Sequence, residues 1–407
     1  MRVFLYLVTV SFLFISCSEK RGGATKKNCV WNARLKISST DFLPFFLEEA
    51  ENNTYYLINA EERILLDDYS IVDDSVHLRF PFFNSGLIFK KEASSFSGYW
   101  VNYSKKGGYK MPFSAELINK KRFPFIKGTS SSLNLNGRWK TVFSPSTNDH
   151  YPALGVFKQE KGSNSISATF LTETGDYRYL GGNTTKDSLY LSCFDGAHAF
   201  LFKAKLIGDT LSGQFFSGNQ WRTNWSALKN AAFELESPER LTYTINDGPF
   251  EFRLPNLNGD TLRFPSDFKQ NKVIIVQVMG TWCPNCLDES RYYKELYDAY
   301  HDRGLEIITV CYEVGDGFED YVAGVNLLKS KLDLDFTFLI GGPAKKGLAS
   351  EHFNTLNKIS SFPTSIFIGK NGQIERVHTG FNGPGTGQYF LDYKDRTEQL
   401  LERLLGS

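Results

Sequence analysis

A chain of 407 residues exceeds what one hydrophobic core organises, so the sequence implies two or three domains behind any targeting segment. Its 46 basic and 45 acidic residues leave a net charge of +1 with no long basic run, which argues against nucleic-acid binding. The 35 Phe and 20 Tyr beside three Met favour strands, whose pleated faces suit flat, bulky side chains.

The chain opens with Arg2 and an apolar stretch from Val3 to Ile15, too short for a hydrocarbon core of about 30 Å, and reads as a secretory signal. Its end, Phe14-Ile15-Ser16-Cys17, resembles the bacterial lipobox, with Phe14 where Leu is usual. The resemblance implies a signal peptide over 1–16, a lipidated Cys17 held in the bilayer, and a tether over 17–28. The protein would then be a membrane-anchored lipoprotein of the cell envelope, facing the periplasm or the outer surface. An ordinary signal peptide with an incidental Cys is the alternative. With Cys17 lipidated, five cysteines remain, so at least one is free or pairs between chains; Cys29 with Cys193 is a candidate pair.

Residues 29–232 are short alternating or aromatic runs broken by Gly, Asn, Asp and Ser, the pattern of strands and turns. Asp74-Ser75-Val76-His77-Leu78 recurs as Asp187-Ser188-Leu189-Tyr190-Leu191, and Phe89-Lys90 as Phe202-Lys203. In the same order, Phe96-Ser97-Gly98 answers to Leu211-Ser212-Gly213, and Phe113-Ser114-Ala115 to Trp225-Ser226-Ala227. This order implies two copies of an antiparallel unit, about 29–123 and 134–232. Whether they make barrels or a sandwich stays open, because alternation fixes the faces of strands and not how a sheet closes. The region could serve as a scaffold, a dimerisation element or a client-binding surface.

A polar linker over 233–249 precedes an α/β domain over 250–407. Lys272 to Val278 reads as a strand buried on both faces, Cys286 to Tyr300 as a helix, and Leu305 to Tyr312 as a strand, a strand-helix-strand crossover. A helix over Tyr321 to Lys331, a strand over Phe336 to Ile340 and a helix over Ala344 to Ile359 follow. A hairpin turns at Asn371-Gly372, and a helix over Tyr389 to Leu405 closes a mixed sheet covered on both sides.

Trp282-Cys283-Pro284-Asn285-Cys286 falls where the buried strand ends and the helix begins. Unpaired N–H groups and the helix dipole stabilise a thiolate there, so Cys283 is the expected nucleophile and Cys286 the resolving thiol. Pro284 suits the first helical turn, where its missing N–H would be unpaired anyway. Half a zinc site is the competing reading of this spacing, but the sequence offers no second Cys or His pair and its six His are scattered, so no metal and no cofactor are expected. A plain structural disulfide is the other alternative.

These residues resemble the TlpA/ResA-type thioredoxin-like reductases of bacterial envelopes. Leu254-Pro255-Asn256-Leu257-Asn258-Gly259-Asp260-Thr261-Leu262 is similar to that family's entry hairpin, Gly280-Thr281-Trp282-Cys283 to its approach to the motif, and Phe362-Pro363-Thr364 to its cis-proline loop. The resemblance implies Trp282, Pro284, Phe362 and Pro363 as substrate-binding residues; spacing alone would leave Pro363 a strand-start proline. It also implies that Glu289 takes the buried thiol's proton, whereas the residues alone leave it open as an acid at a helix N-terminus. Gln277-Val278-Met279 departs from the family, and Gln277 cannot accept a proton as a strand carboxylate would. The implied activity is extracytoplasmic reduction of disulfides in client proteins, with electrons from a membrane thiol donor. Two alternatives are a peroxiredoxin-like thiol peroxidase, although Gly280 stands where its Thr is needed, and a non-enzymatic ligand-binding lipoprotein.

Overall fold

The computed structural model describes residues 28–105, 107–117, 121–127, 130–131, 133–246 and 248–406. The signal segment, Cys17 and most of the tether lie outside the described residues.

The alternating runs fold as strands that each turn one face to a core. The first nine are β1 (Cys29–Lys36), β2 (Phe42–Glu49), β3 (Tyr55–Asn59), β4 (Glu62–Leu66), β5 (Asp68–Val72), β6 (Ser75–Arg79), β7 (Ser85–Lys91), β8 (Ser95–Asn102) and β9 (Tyr109–Leu117). They form an antiparallel sheet in the order β4-β3-β2-β1-β9-β8-β7-β6-β5 around Trp31, Phe45, Phe89, Phe96 and Trp100.

The next nine are β10 (Gly137–Phe143), β11 (Tyr151–Lys158), β12 (Ser165–Thr172), β13 (Gly175–Asp176), β14 (Leu180–Thr184), β15 (Ser188–Phe194), β16 (Ala199–Ile207), β17 (Thr210–Ser217) and β18 (Trp221–Lys229). Their order is β11-β10-β18-β17-β16-β15-β14-β12-β13, and β11 also pairs with β12. That pairing closes eight strands into a barrel filled by Phe143, Phe157, Phe170, Phe202 and Trp225. The question of closure is answered by this one contact. On β16, Phe200, Phe202 and Ala204 point into the barrel while Ala199 and Leu201 join the first sheet's core. One strand serves two cores, which is why Ala199-Phe200-Leu201-Phe202 is apolar throughout.

The ladders refine the sequence echo. Val76 faces Phe89 and Leu189 faces Ala204, so Phe89 is equivalent to Ala204, and Phe202 to Leu87. The Phe89-Lys90 and Phe202-Lys203 match is therefore displaced by two residues. A two-residue slip keeps every side chain on its own face, so alternation could not detect it. The same ladders make Trp31 equivalent to Trp139, a correspondence that similarity of runs did not reveal. Cys193 is a buried free thiol, so the candidate Cys29–Cys193 pairing is not formed.

Beyond the two β units, β19 (Phe252–Pro255) and β20 (Thr261–Phe264) form the entry hairpin. The remaining strands, β21 (Val273–Met279), β22 (Leu305–Glu313), β23 (Thr337–Pro343), β24 (Thr364–Ile368) and β25 (Ile374–Thr379), make a mixed sheet in the order β23-β22-β21-β24-β25. Its helices are α1 (Pro284–Tyr300), α2 (Phe318–Leu332), α3 (Lys346–His352) and α4 (Gln388–Gly406). Every residue of the central β21 is buried, as its apolar run requires, with Gln277 the polar exception. α3 ends at His352 rather than running to Ile359. The following Asn354-Thr355-Leu356-Asn357 bonds instead to the linker, with Ile245 N donating to Thr355 O and Asn357 N to Tyr243 O. Asn and Thr are weak helix formers, so this pairing wins. Among the described residues, no helix is long and apolar enough to cross a membrane.

Candidate active site

The fully buried β21 delivers the chain to Gly280, and α1 begins four residues later. Cys283 is the N-cap of α1, and its sulfur accepts the N–H of Cys286 at 3.3 Å. It also lies 3.7 Å from the carbonyl oxygen of Phe362. Both cysteines are free thiols; Cys283 is 8% exposed and Cys286 fully buried. Burial, with Cys283 beside it, pushes the Cys286 thiol well above its ordinary value. The two sulfurs are thus in unlike settings, one slightly exposed and accepting a helix N–H, the other sealed beneath it.

Around them, the Phe362–Pro363 peptide is cis, and Trp282 is held by its indole N–H on Tyr312 O at 2.9 Å with its ring edge-on to Phe362. Trp282, Pro284, Phe362 and Pro363 are therefore all within the motif or on the loop facing it. Glu289 lies one helical turn beyond Cys286 and is fully buried. Its carboxylate accepts bonds from Gln277 Nε2 (2.9 Å), Ser365 Oγ (3.1 Å) and Tyr293 Oη (3.3 Å). Burial pushes it up to about 7, although those three donors pull the other way. Gln277, which cannot take a proton, orients the residue that can.

Sequence reading missed three groups. Glu313, at the end of β22, accepts Thr281 N at 2.8 Å and Thr281 Oγ1 at 2.5 Å, and burial pushes it up to about 7. A charge closing the apolar run Leu305 to Tyr312 was its signal. The other two, Asp176 and Arg178, come from the second barrel. Asp176 Oδ2 accepts Asn285 Nδ2 at 3.3 Å and Gly383 N at 2.7 Å, and Asn285 also donates to Phe381 O at 3.0 Å. The neighbouring Gly175, at φ +147°, approaches so closely that a Cβ would lie 2.8 Å from Asn285 Nδ2. Arg178 donates to Asp288 Oδ2 at 2.5 Å and to Pro284 O at 3.3 Å. The barrel thus grips the first turn of α1 on both sides of Asn285. Among the described residues, no group of three or more His, Cys, Asp or Glu could hold a metal ion.

A dithiol whose first sulfur caps a helix leaving the central strand of a mixed sheet, opposed by a cis X-Pro loop, is the site of a thioredoxin-like domain. The family model described as Redoxin matches residues 247–390. The chain is 28% identical over 142 residues to thiol-disulfide oxidoreductase ResA of Geobacillus kaustophilus, covering 35% of this chain and 73% of that protein. It is 34% identical over 123 residues to ResA of Bacillus thuringiensis, covering 30% and 62%. A thiol:disulfide interchange protein of Chlorobium tepidum matches 39% of this chain and 99% of its own, at 16% identity and TM-score 0.30. The C-terminal domain is that of a thioredoxin-like thiol–disulfide oxidoreductase and is similar to those of the TlpA/ResA type.

Proposed function

We propose that the chain reduces disulfides of extracytoplasmic client proteins through Cys283 and Cys286. The supporting observation is the asymmetry of the pair: the Cys283 sulfur accepts a helix N–H and keeps 8% exposure, while Cys286 is sealed and its proton strongly held. The Cys283 thiolate attacks one sulfur of the client disulfide, forming a mixed disulfide and releasing the other client sulfur, which takes a proton. Cys286 then gives its proton to Glu289 and attacks Cys283. The Cys283–client bond breaks, the second client thiol leaves, and a Cys283–Cys286 disulfide remains. Two electrons have passed to the client, and a membrane thiol donor restores the dithiol. Trp282, Pro284, Phe362 and Pro363 form the surface on which the client lies.

The test is reduction of insulin disulfides by the full chain with excess dithiothreitol, together with the potential of the pair. Catalysed reduction at a potential near the thioredoxin value of about −270 mV supports the proposal. A potential near about −120 mV, that of a strong oxidant, would overturn the direction.

Glu289→Gln should lower turnover about 100-fold, the low end of what a positioned acid or base contributes. Wild-type turnover should rise as pH passes about 7, where Glu289 loses its proton, and the variant should lack that limb. Stability carries the opposite sign. Between the ordinary 4.5 and about 7, the folded state holds a proton the unfolded state has released, so Glu289 destabilises the fold as pH rises through that window. The penalty above pH 7 is on the order of 3 kcal/mol, and denaturation of the variant at several pH values should show it removed.

Anchoring through a lipidated Cys17 is part of the proposal, supported by Phe14-Ile15-Ser16-Cys17. Lipidation consumes the Cys17 sulfur and so excludes a Cys17–Cys29 disulfide. The mature protein should show the mass of an acylated N-terminal Cys and partition with membranes; a Cys17–Cys29 disulfide would overturn the anchor.

A further inference from the structure

We propose that the mouth of the second barrel binds a basic side chain, Lys or Arg, lying a few residues from the client's disulfide, and thereby selects which disulfides reach Cys283. The proposal rests on the oxidoreductase reading and adds to it the class of client sequence.

Eight-stranded barrels have interiors that side chains just fill or that hold one small ligand. This one does both. Its depth is packed with aromatic side chains, while one end holds an open cavity of about 660 Å³. Tyr151, Tyr177, Phe200, Phe215 and Trp221 wall it. Trp221 is 45% exposed and stands edge-on to Phe215, an aromatic left at the rim without cover.

Three features set the ligand's chemistry and place. First, the rim carries carboxylates: Glu173 has no hydrogen-bond or ion-pair partner among the described residues, and Asp176 lies beside it in the lining. Aromatic faces with an unpaired carboxylate favour a cation, which gains from ring quadrupole and opposite charge together. Second, the guanidinium two residues after Asp176 is already engaged: Arg178 is bound to Glu62, Asp195 and Asp288. His198, also in the lining, stacks on Phe200 with ring centroids 4.5 Å apart and faces Asp195 at 3.3 Å. Third, Asn285, the residue immediately before Cys286, forms part of the same wall. Asp176 holds Asn285 directly, so the mouth cannot shift relative to the dithiol without breaking that bond. Asn285 thus joins the mouth of the barrel to the motif that carries Cys283.

The probes are three cyclic disulfide peptides, identical but for Arg, Glu or Phe at one flanking position, with bis(2-hydroxyethyl) disulfide as a substrate that has no flanks. With the full chain, the Arg peptide should be reduced with about 10-fold higher kcat/KM than the Glu peptide, carried by KM. The double substitution Glu173→Gln with Trp221→Ala should remove that preference and leave bis(2-hydroxyethyl) disulfide reduction unchanged. Equal rates for all three peptides, a preference for Phe, or a preference that survives the double substitution would each overturn the proposal. Failure of the wild type to reduce bis(2-hydroxyethyl) disulfide would instead overturn the oxidoreductase reading beneath it.

Discussion

Cys283→Ser is expected to abolish disulfide exchange, and Cys286→Ser to stop turnover after one step with the client still attached. The two outcomes follow from the unlike settings of the sulfurs. Cys283 is the one of the two that keeps some exposure, 8%, and it accepts the Cys286 N–H, so it is the sulfur that a client can reach. A hydroxyl in its place is a far weaker nucleophile and cannot carry the mixed disulfide. Cys286, at 0% exposure, cannot meet a protein substrate, but it can reach Cys283. Its loss leaves the first step intact and removes the second. The measurement is non-reducing electrophoresis of the full chain after exposure to a disulfide protein. Cys286→Ser should give a thiol-sensitive adduct, and the double variant none. Cys311→Ser is the control: Cys311 is fully buried on β22, its thiol pushed well above the ordinary value by burial, and turnover should stay within about 2-fold of wild type. An equal loss at Cys311 would remove Cys283 from the role of nucleophile.

What the sequence made legible was local. The CPNC spacing, the buried run before it and the Asn371-Gly372 turn each need only neighbouring residues, and each lies where the pattern put it. Readings that depend on partners far along the chain did less well. α3 was overextended because its competitor, the linker segment at Tyr243 to Ile245, lies more than 100 residues upstream. The echo between Phe89 and Phe202 slipped by two because period-two alternation is blind to that shift. Barrel closure needs the distant β10–β18 pairing as well as the neighbouring β11–β12 one, and apolar alternation encodes neither. Glu289 was found from its place one turn past Cys286, but its support by Gln277, Ser365 and Tyr293 joins three separate elements. Asp176 and Arg178 left one sequence trace: two charges on either side of Tyr177 in the run Asp176-Tyr177-Arg178-Tyr179-Leu180, a place where an unpaired charge would be costly to bury.

That cost makes Arg178 the residue whose loss should most weaken the fold. Its guanidinium, 4% exposed, meets Glu62 at the start of β4, Asp195 just past β15 and Asp288 on α1, at 2.7, 3.2 and 2.5 Å. It thereby ties both β units to the helix that carries the dithiol. Three carboxylates around one cation draw the Arg178 proton in more tightly, against the effect of burial. Only Asp288 has another cation within reach, Arg291 at 2.9 Å, while Asp195 keeps His198. Arg178→Met would fill the volume but leave Glu62 buried without a counter-charge, and stability should fall by about 3–5 kcal/mol, as when one partner of a buried pair is removed. Arg178→Lys should recover less than half of this. A single ammonium cannot span three carboxylates and the Pro284 carbonyl, whereas the planar fork does so from one position. Chemical denaturation of the full chain gives the loss, and limited proteolysis near Glu234 to Arg240 gives its location. Faster cleavage there in Arg178→Met, with the isolated domains still resistant, would mark separation of the barrels from α1. Unchanged midpoints would mean that Asp176, Asn285 and the apolar contacts hold the domains without the cluster.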